Sequence, residues 1–583
     1  MSSVRLWLPE SYRQREEEVR ARGAVAIVTG PDVGLPPMTD ENVRDAAAGL
    51  AIETALPLLA AFALVMDSVP HRDHAELRAE QVRATRAILP PPYCQRAIDY
   101  LEAGRRDLVF THEQLLLAMR LVIEHGQPGP PGQVDQPRLA QLLLGLTDVM
   151  VSGKEFKARA EDAAVSLALR RLGLPRSEQT RYELARWYDL LITRARASAG
   201  TEGSVDLDGL FRARTGLSIE NFLGIAWFHA TPLRSPHSPA ELMSAGFHTV
   251  LAELQLKYRD PDTAAAAAKL LIADVPTLRE RFKRDTARLH LSSLRPFWEH
   301  PYVRLDSGRI LPVSSALALN RGIRGVYHLL IDQAGVTSGT GVNHLTSYIG
   351  RLHEEYLTDL LGRALASGRH GAFASEADVM TASRRAGKPP FDAAIITDGT
   401  LVLIEMLTAT LRLDTLERGD LALYRRDFDR DFKKKAEQLA QAVEGVGNGT
   451  WTIPGVEPAS VRRVVPVLAS LHPFPLFGPP MWTPFTAAFA SPAFGHGAAV
   501  MPLQLVTDEE LEALEAFQGA SSMSIVDALA RRASNPAWTE SRMMHVILRA
   551  WGLTQPDNAG MQTLYRTAAT AISKAAAGAF ALG

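Results

Sequence analysis

From residue 40 to residue 300 apolar side chains recur at steps of three and four with charges between them, the spacing that turns one stripe of a helix toward a core. "HEQLLLAMRLVIEHG" (112–126) and "RYELARWYDLLITRARA" (181–197) carry the pattern most clearly. It predicts an all-α region over residues 1–300. "GQPGPPGQVDQP" (126–137) breaks it, because proline and glycine end one helix and forbid another. That stretch reads either as a linker or as a surface loop inside one helical domain. The most apolar run, "AAAGLAIETALPLLAAFALVM" (46–66), is interrupted by Glu53 and Pro57. It predicts a buried helix pair, since a bilayer span needs about 20 uninterrupted apolar residues.

Near residue 300 the period changes. "HPYVRLDSGRILPV" predicts two short strands around a turn, followed by a helix, "SSALALNRGIRGVYHLLIDQ". A glycine-rich loop, "GVTSGTG" (335–341), leads into the helix "HLTSYIGRLHEEYLTDLLGRALASG". A hairpin, a charged helix (424–445), the apolar strand "VRRVVPVLAS" (461–470) and a further strand and helix in "AVMPLQLVTDEELEALEAF" follow. Strands separated by helices in this order predict an α/β sheet domain over 301–515 with crossover helices. Residues 516–583 return to helix and end in an alanine-rich segment.

The hairpin holds the candidate chemistry. "FDAAIIT" and "LVLIEML" flank Asp398-Gly399, a two-residue turn that tolerates positive φ. Counting outward from that turn, Thr397 faces Thr400, Ile396 faces Leu401, and Asp392 faces Glu405. The two acids then share one face at about 4.5–5.5 Å between Cβ atoms. Like charges at that range repel, and the apolar neighbours Ala394, Leu403 and Leu407 add a desolvation cost. Either one acid keeps a proton or a cation lies between them. Mg²⁺ or Mn²⁺ suits oxygen ligands of this kind. Glu354 or Glu355, on the preceding helix, offers a third carboxylate, and the apolar stripe there leaves both at its edges.

Composition narrows the remaining options. A net charge of −2 over 583 residues argues against a protein that coats nucleic acid with its whole surface, although a local basic face is compatible with it. The single Cys94 excludes an intrachain disulfide and a cysteine zinc site. With an N-terminal stretch that is charged rather than apolar, this leads us to expect a cytoplasmic protein with no membrane partner.

In their order, these motifs resemble the PD-(D/E)XK nuclease superfamily, the restriction-endonuclease-like fold, over a core of residues 335–475. "GRLHEEY" resembles the family's glutamate-bearing helix, with Glu354 the better match. "PFDAAIITDG" puts Asp392 at the family's aspartate position, and "LVLIEML" puts Glu405 at its glutamate. The resemblance implies Mg²⁺-dependent hydrolysis of phosphodiester bonds, with Asp392, Glu405 and Glu354 as metal ligands. It also departs from the family. Where the family places lysine two residues after the glutamate, this chain has Leu407. Some members carry that lysine on the following helix, where Lys433, Lys434 and Lys435 stand here; Lys434 is taken as the catalytic one. Arg384, Arg385, Lys388, Lys433 and Lys435 are the expected contacts to nucleic acid, DNA more than RNA.

The expected architecture is therefore mixed: a large helical N-terminal region, a restriction-endonuclease-like α/β domain and a helical C-terminal tail. The expected function is nucleic-acid cleavage, in defence against foreign DNA or in DNA processing. The alternative is an inactive nuclease-fold scaffold for protein or DNA partners, or for a homo-oligomer. A weaker third option is a helical assembly subunit with a purely structural hairpin. "GVTSGTG" lacks the Gly-Lys-Ser/Thr ending of a phosphate loop. His71 and His74 of "HRDH" lack a third ligand, His353 falls within an apolar stripe, and the aromatic clusters 225–230 and 294–302 read as packing.

Overall fold

The computed structural model describes residues 27–68, 74–104, 108–152, 180–231, 233, 258–288, 294–337, 341–366, 371–384, 387–408, 411–412, 415–416, 420–471, 479–490, 492–520, 523–535, 544, 547–548 and 556–580. "HRDH" falls largely outside them, as does Arg385.

The helical region forms as its periodicity predicts. Helix α1 (Ile52–Ser68) carries Pro57 and packs along α2 (His112–His125). A capping box starts α2, in which the Thr111 hydroxyl accepts from the Gln114 amide and the Gln114 side chain accepts from the Thr111 amide. Glu53, the acid that interrupts the apolar run, is 7% exposed and accepts from the Ser307 amide and hydroxyl at 3.0 and 2.8 Å. It therefore fastens the turn of the first hairpin to the helices. The stretch after α2 is a packed loop, because Gln127 exchanges backbone hydrogen bonds with Leu50 and Ile52. Among the described residues no helix is long and apolar enough to cross a membrane.

The further helices of this region include α3 (Thr180–Tyr188), continued by a π turn at Asp189–Arg194, and α4 (Ile219–Ala230). A small sheet joins β1 (Ile272–Asp274) in parallel to β2 (Tyr302–Arg304), which pairs antiparallel with β3 (Ile310–Pro312). The last two are the expected strands. β1 carried no readable pattern at three residues.

The larger sheet contains β4 (Ala372–Ser375), β5 (Ala393–Thr397), β6 (Thr400–Leu407), β7 (Arg463–Ser470), β8 (Ala499–Val500) and β9 (Gln504–Thr507). β4, β5 and β6 run antiparallel in that order, β6 and β7 are parallel, and β8 and β9 both pair with β7 in parallel. Helices cover both faces. Val402, Ile404 and Met406 of β6 join the core that holds α5 (Gly341–Leu365) and α9 (Asp508–Ala520). Leu401, Leu403 and Leu407 point the other way, to α7 (Leu421–Asp427), a π turn at Phe428–Phe432, and α8 (Lys433–Gly447). Burial on both sides explains the unbroken apolar character of β6 and β7. A short helix, α6 (Glu376–Ser383), follows β4 and opens on a Ser375/Asp378 capping box. The final long helix, α10 (Ala559–Ala579), packs on α4 and α3, which makes it part of the helical region.

Candidate active site

Asp398 and Gly399 adopt φ of 40° and 75°, the positive values that a tight hairpin turn demands. The strands then pair in the register counted from the turn, from Thr397↔Thr400 to Ala393↔Ile404. The ladder ends at Asp392, whose amide donates to the Ile404 carbonyl at 2.9 Å. Its side chain continues the pairing, since the Met406 amide donates to Asp392 Oδ2 at 2.6 Å. That bond fixes the Asp392 carboxylate beside the backbone that carries Glu405.

Glu405 is 4% exposed. Burial pushes its carboxyl up to about 8, the neighbouring Asp392 charge pushes the same way, and Glu354 adds to it. Asp392 and Glu354 also lie above the ordinary carboxylate range, in both cases chiefly through burial, and for Glu354 also through the charge on Asp392. Of the two candidate glutamates it is thus Glu354 that joins the pair; Glu355 is exposed.

The cation at this cluster is Lys435. Its ammonium is hydrogen-bonded to Glu405 Oε1. Burial acts to lower the Lys435 pKa, but the Glu405 carboxylate, aided by Asp392 and Glu354, raises it overall, so the ammonium stays charged. One ammonium normally pulls a carboxylate down; at Glu405 desolvation and two other acids outweigh it. Lys434, the lysine expected here, is exposed, as is Lys433. The reason lies in the stripe Tyr424, Phe428, Phe432, Ala436 and Leu439, all buried against the sheet. Lys435 flanks that stripe and Lys434 projects opposite it. Leu407 is 3% exposed and belongs to the same apolar cluster, so no amine enters from its position.

Glu354 and Asp392 line a cleft of about 520 Å³ with Glu376, Arg194 and Arg351. Neither arginine was singled out from the sequence. Arg351 stands one turn before Glu354 on α5, a readable spacing. Arg194 comes from the π turn after α3 and ion-pairs with Asp359 of α5 at 2.8 Å, a contact across 165 positions that no local pattern encodes. Of the expected basic contacts, Lys388 is exposed and bonded to Glu376 at 3.2 Å, and Arg384 is exposed at the end of α6.

Behind the site His353 is fully buried and its Nε2 lies 2.9 and 3.0 Å from the two oxygens of Asp508. Arg186 of α3 donates to Glu512 at 2.7 and 3.2 Å, and the Tyr356 hydroxyl donates to Glu512 at 2.6 Å. His353 is thus a core residue with an acidic partner.

Oxygen donors of this kind suit a hard divalent cation. Among the described residues no group of three acidic, histidine or cysteine side chains converges as a metal site, so the expected three-ligand set of Glu354, Asp392 and Glu405 is not assembled. What is present is three carboxylates within electrostatic range of one another, with one ammonium bonded to Glu405. Asp392 Oδ1 has no hydrogen-bond partner among the described residues. Two such carboxylates with water or substrate oxygens are a common donor set for Mg²⁺. Comparison with family models, with curated proteins and with solved structures finds no match to this chain.

Proposed function

We propose that the chain is a divalent-metal-dependent nuclease of the PD-(D/E)XK type, whose lysine is supplied by α8 in place of the strand. The observation that carries this reading is the Lys435 ammonium on Glu405, beside Asp392. An apolar wall at that point would have favoured an inactive scaffold. Asp392 and Glu405 would hold the cation, with Glu354 within electrostatic range. When bound, Mg²⁺ supplies Lewis acidity and lowers the pKa of a water. The chain's own part is electrostatic and positional. Asp392 is held by the Met406 amide, and α5 and β6 fix Glu354 and Glu405 as rigid supports. Lys435 brings positive charge to where negative charge grows on the phosphate.

The test is cleavage of DNA and RNA oligonucleotides with Mg²⁺ or Mn²⁺. Asp392→Ala and Glu405→Ala are expected to abolish it. Lys435→Met is expected to lower the rate by about 10²–10³, the usual loss for one preorganised donor. Lys434→Met, whose ammonium is exposed and turned away from the acids, is expected to leave the rate at saturating nucleic acid unchanged. Cleavage that survives both acid substitutions overturns the proposal. Leu407 keeps the scaffold reading alive, and a chain that binds nucleic acid without cutting it under any divalent cation would establish that reading.

A further inference from the structure

The cleft is a poor landing place for a polyanion, because five carboxylates (Glu354, Glu355, Asp359, Glu376, Asp392) line it against two arginines. A nucleic-acid backbone needs cations outside it. The segment "RRDFDRDFKKK" (425–435) looks self-neutralising in sequence, and the structure sorts its charges. Asp427 is 1% exposed and turned inward, where it accepts from the Thr415 hydroxyl at 2.6 Å and the Arg412 amide at 2.8 Å. Asp431 is consumed by Arg430, which also reaches Asp427 at 3.1 Å.

The π turn at Phe428–Phe432 widens the helix locally, so that Tyr424, Phe428, Phe432 and Ala436 stay buried beneath it at steps of four. Arg426, Arg430 and Lys434 therefore form one outward row, and Arg425, Asp429 and Lys433 the next. Arg425, Arg426, Lys433 and Lys434 are exposed and have no ion-pair partner among the described residues. The exposed acids facing them are Asp429 and, one turn on, Glu437.

We infer that this double row is the docking track for the phosphate backbone of nucleic acid. It rests on the nuclease reading, and it adds where the strand lies. The track lies on the helix that supplies the site's cation, since Lys433 and Lys434 immediately precede Lys435, whose ammonium is on Glu405. Phosphates held along Arg425–Lys434 approach the acid cluster along α8, the helix that carries Lys435.

The experiment measures binding of labelled single-stranded and duplex DNA to the full chain by fluorescence anisotropy across a salt series. No divalent cation is present, so the outcome does not depend on cleavage. The combined variant Arg425→Gln, Arg426→Gln, Lys433→Gln, Lys434→Gln removes four exposed cations that have no ion-pair partner among the described residues. The slope of log affinity against log salt is expected to flatten by about 3–4 for duplex and about 3 for single strands. Arg566→Gln and Lys574→Gln, exposed cations on α10, are expected to leave the slope unchanged. An unaltered slope in the fourfold variant overturns the track even if the protein cuts DNA. Equal, equally salt-dependent binding of a labelled poly-glutamate overturns it in favour of an acidic protein partner. A flattened slope in a protein that never cleaves supports the track and removes only the nuclease reading.

Discussion

Glu405 is a carboxyl buried where the folded chain resists its ionisation. Its folded pKa of about 8 lies above the ordinary glutamate value, so the folded state holds an extra proton between about pH 4.5 and pH 8. Stability from this group is therefore fully present below about pH 4.5 and is lost as pH rises through about 8. Glu405→Gln removes that loss, and its unfolding free energy at pH 9 should exceed the parent's by on the order of 2–4 kcal/mol. At pH 4 the two should match. Urea unfolding at both pH values checks this, and a variant less stable than the parent at pH 9 refutes it. The register up to Ala393↔Ile404, and with it the nearness of Asp392 and Glu405, was legible because Asp398-Gly399 dictates the pairing. Choosing between Lys434 and Lys435 was also within reach, because Tyr424, Phe428, Phe432 and Ala436 mark the inward stripe. The missing inference was that the stripe, and not the lysine triplet, sets which amine turns inward.

Among the elements, α5 links the two halves of the chain. One side carries Glu354 into the cleft; the other sends His353 and Tyr356 to Asp508 and Glu512, which Arg186 of α3 neutralises. Arg186→Met leaves two carboxylates buried with the cation gone, and should cost about 3–5 kcal/mol. Adding Glu512→Leu should recover part of that loss, because an apolar replacement no longer demands a partner. Denaturant titration of both variants decides the matter; equal stability of the single variant and the parent would contradict it. None of this network was visible in advance. His353 sits in an apolar stripe, and its partner lies 155 positions away. β4 and α6 were missed for a different reason: four residues of strand followed at once by a capped helix leave no period to count, although Ser375 and Asp378 signalled the cap.

Across the whole molecule, acid should weaken the fold through buried neutral histidines. Burial holds His229 at about 4, where its Nε2 meets the Tyr258 hydroxyl at 2.9 Å, and holds His300 at about 4 with help from Arg281 and Arg321. Folded values below the unfolded one mean that the unfolded chain takes up protons first. Stability should fall as pH drops from about 6.5 toward 4, by up to about 3 kcal/mol for each group. His229→Gln should flatten this dependence in thermal unfolding measured from pH 7 to pH 4; an unchanged profile would assign the loss elsewhere.

The crossing of α4 and α10 bears on how this protein is made. A Cβ placed on Gly224 would stand 2.8 Å from the Ala576 backbone nitrogen, so only hydrogen fits between the two helices. Their encounter must bridge residues 231–558, and the translating ribosome delivers the carboxylate-bearing hairpin well before α10. The apolar seat for α10 therefore stays open until that helix is made. A newborn chain thus carries an uncovered apolar face on α4 until α10 emerges, the interval in which that face is exposed to aggregation.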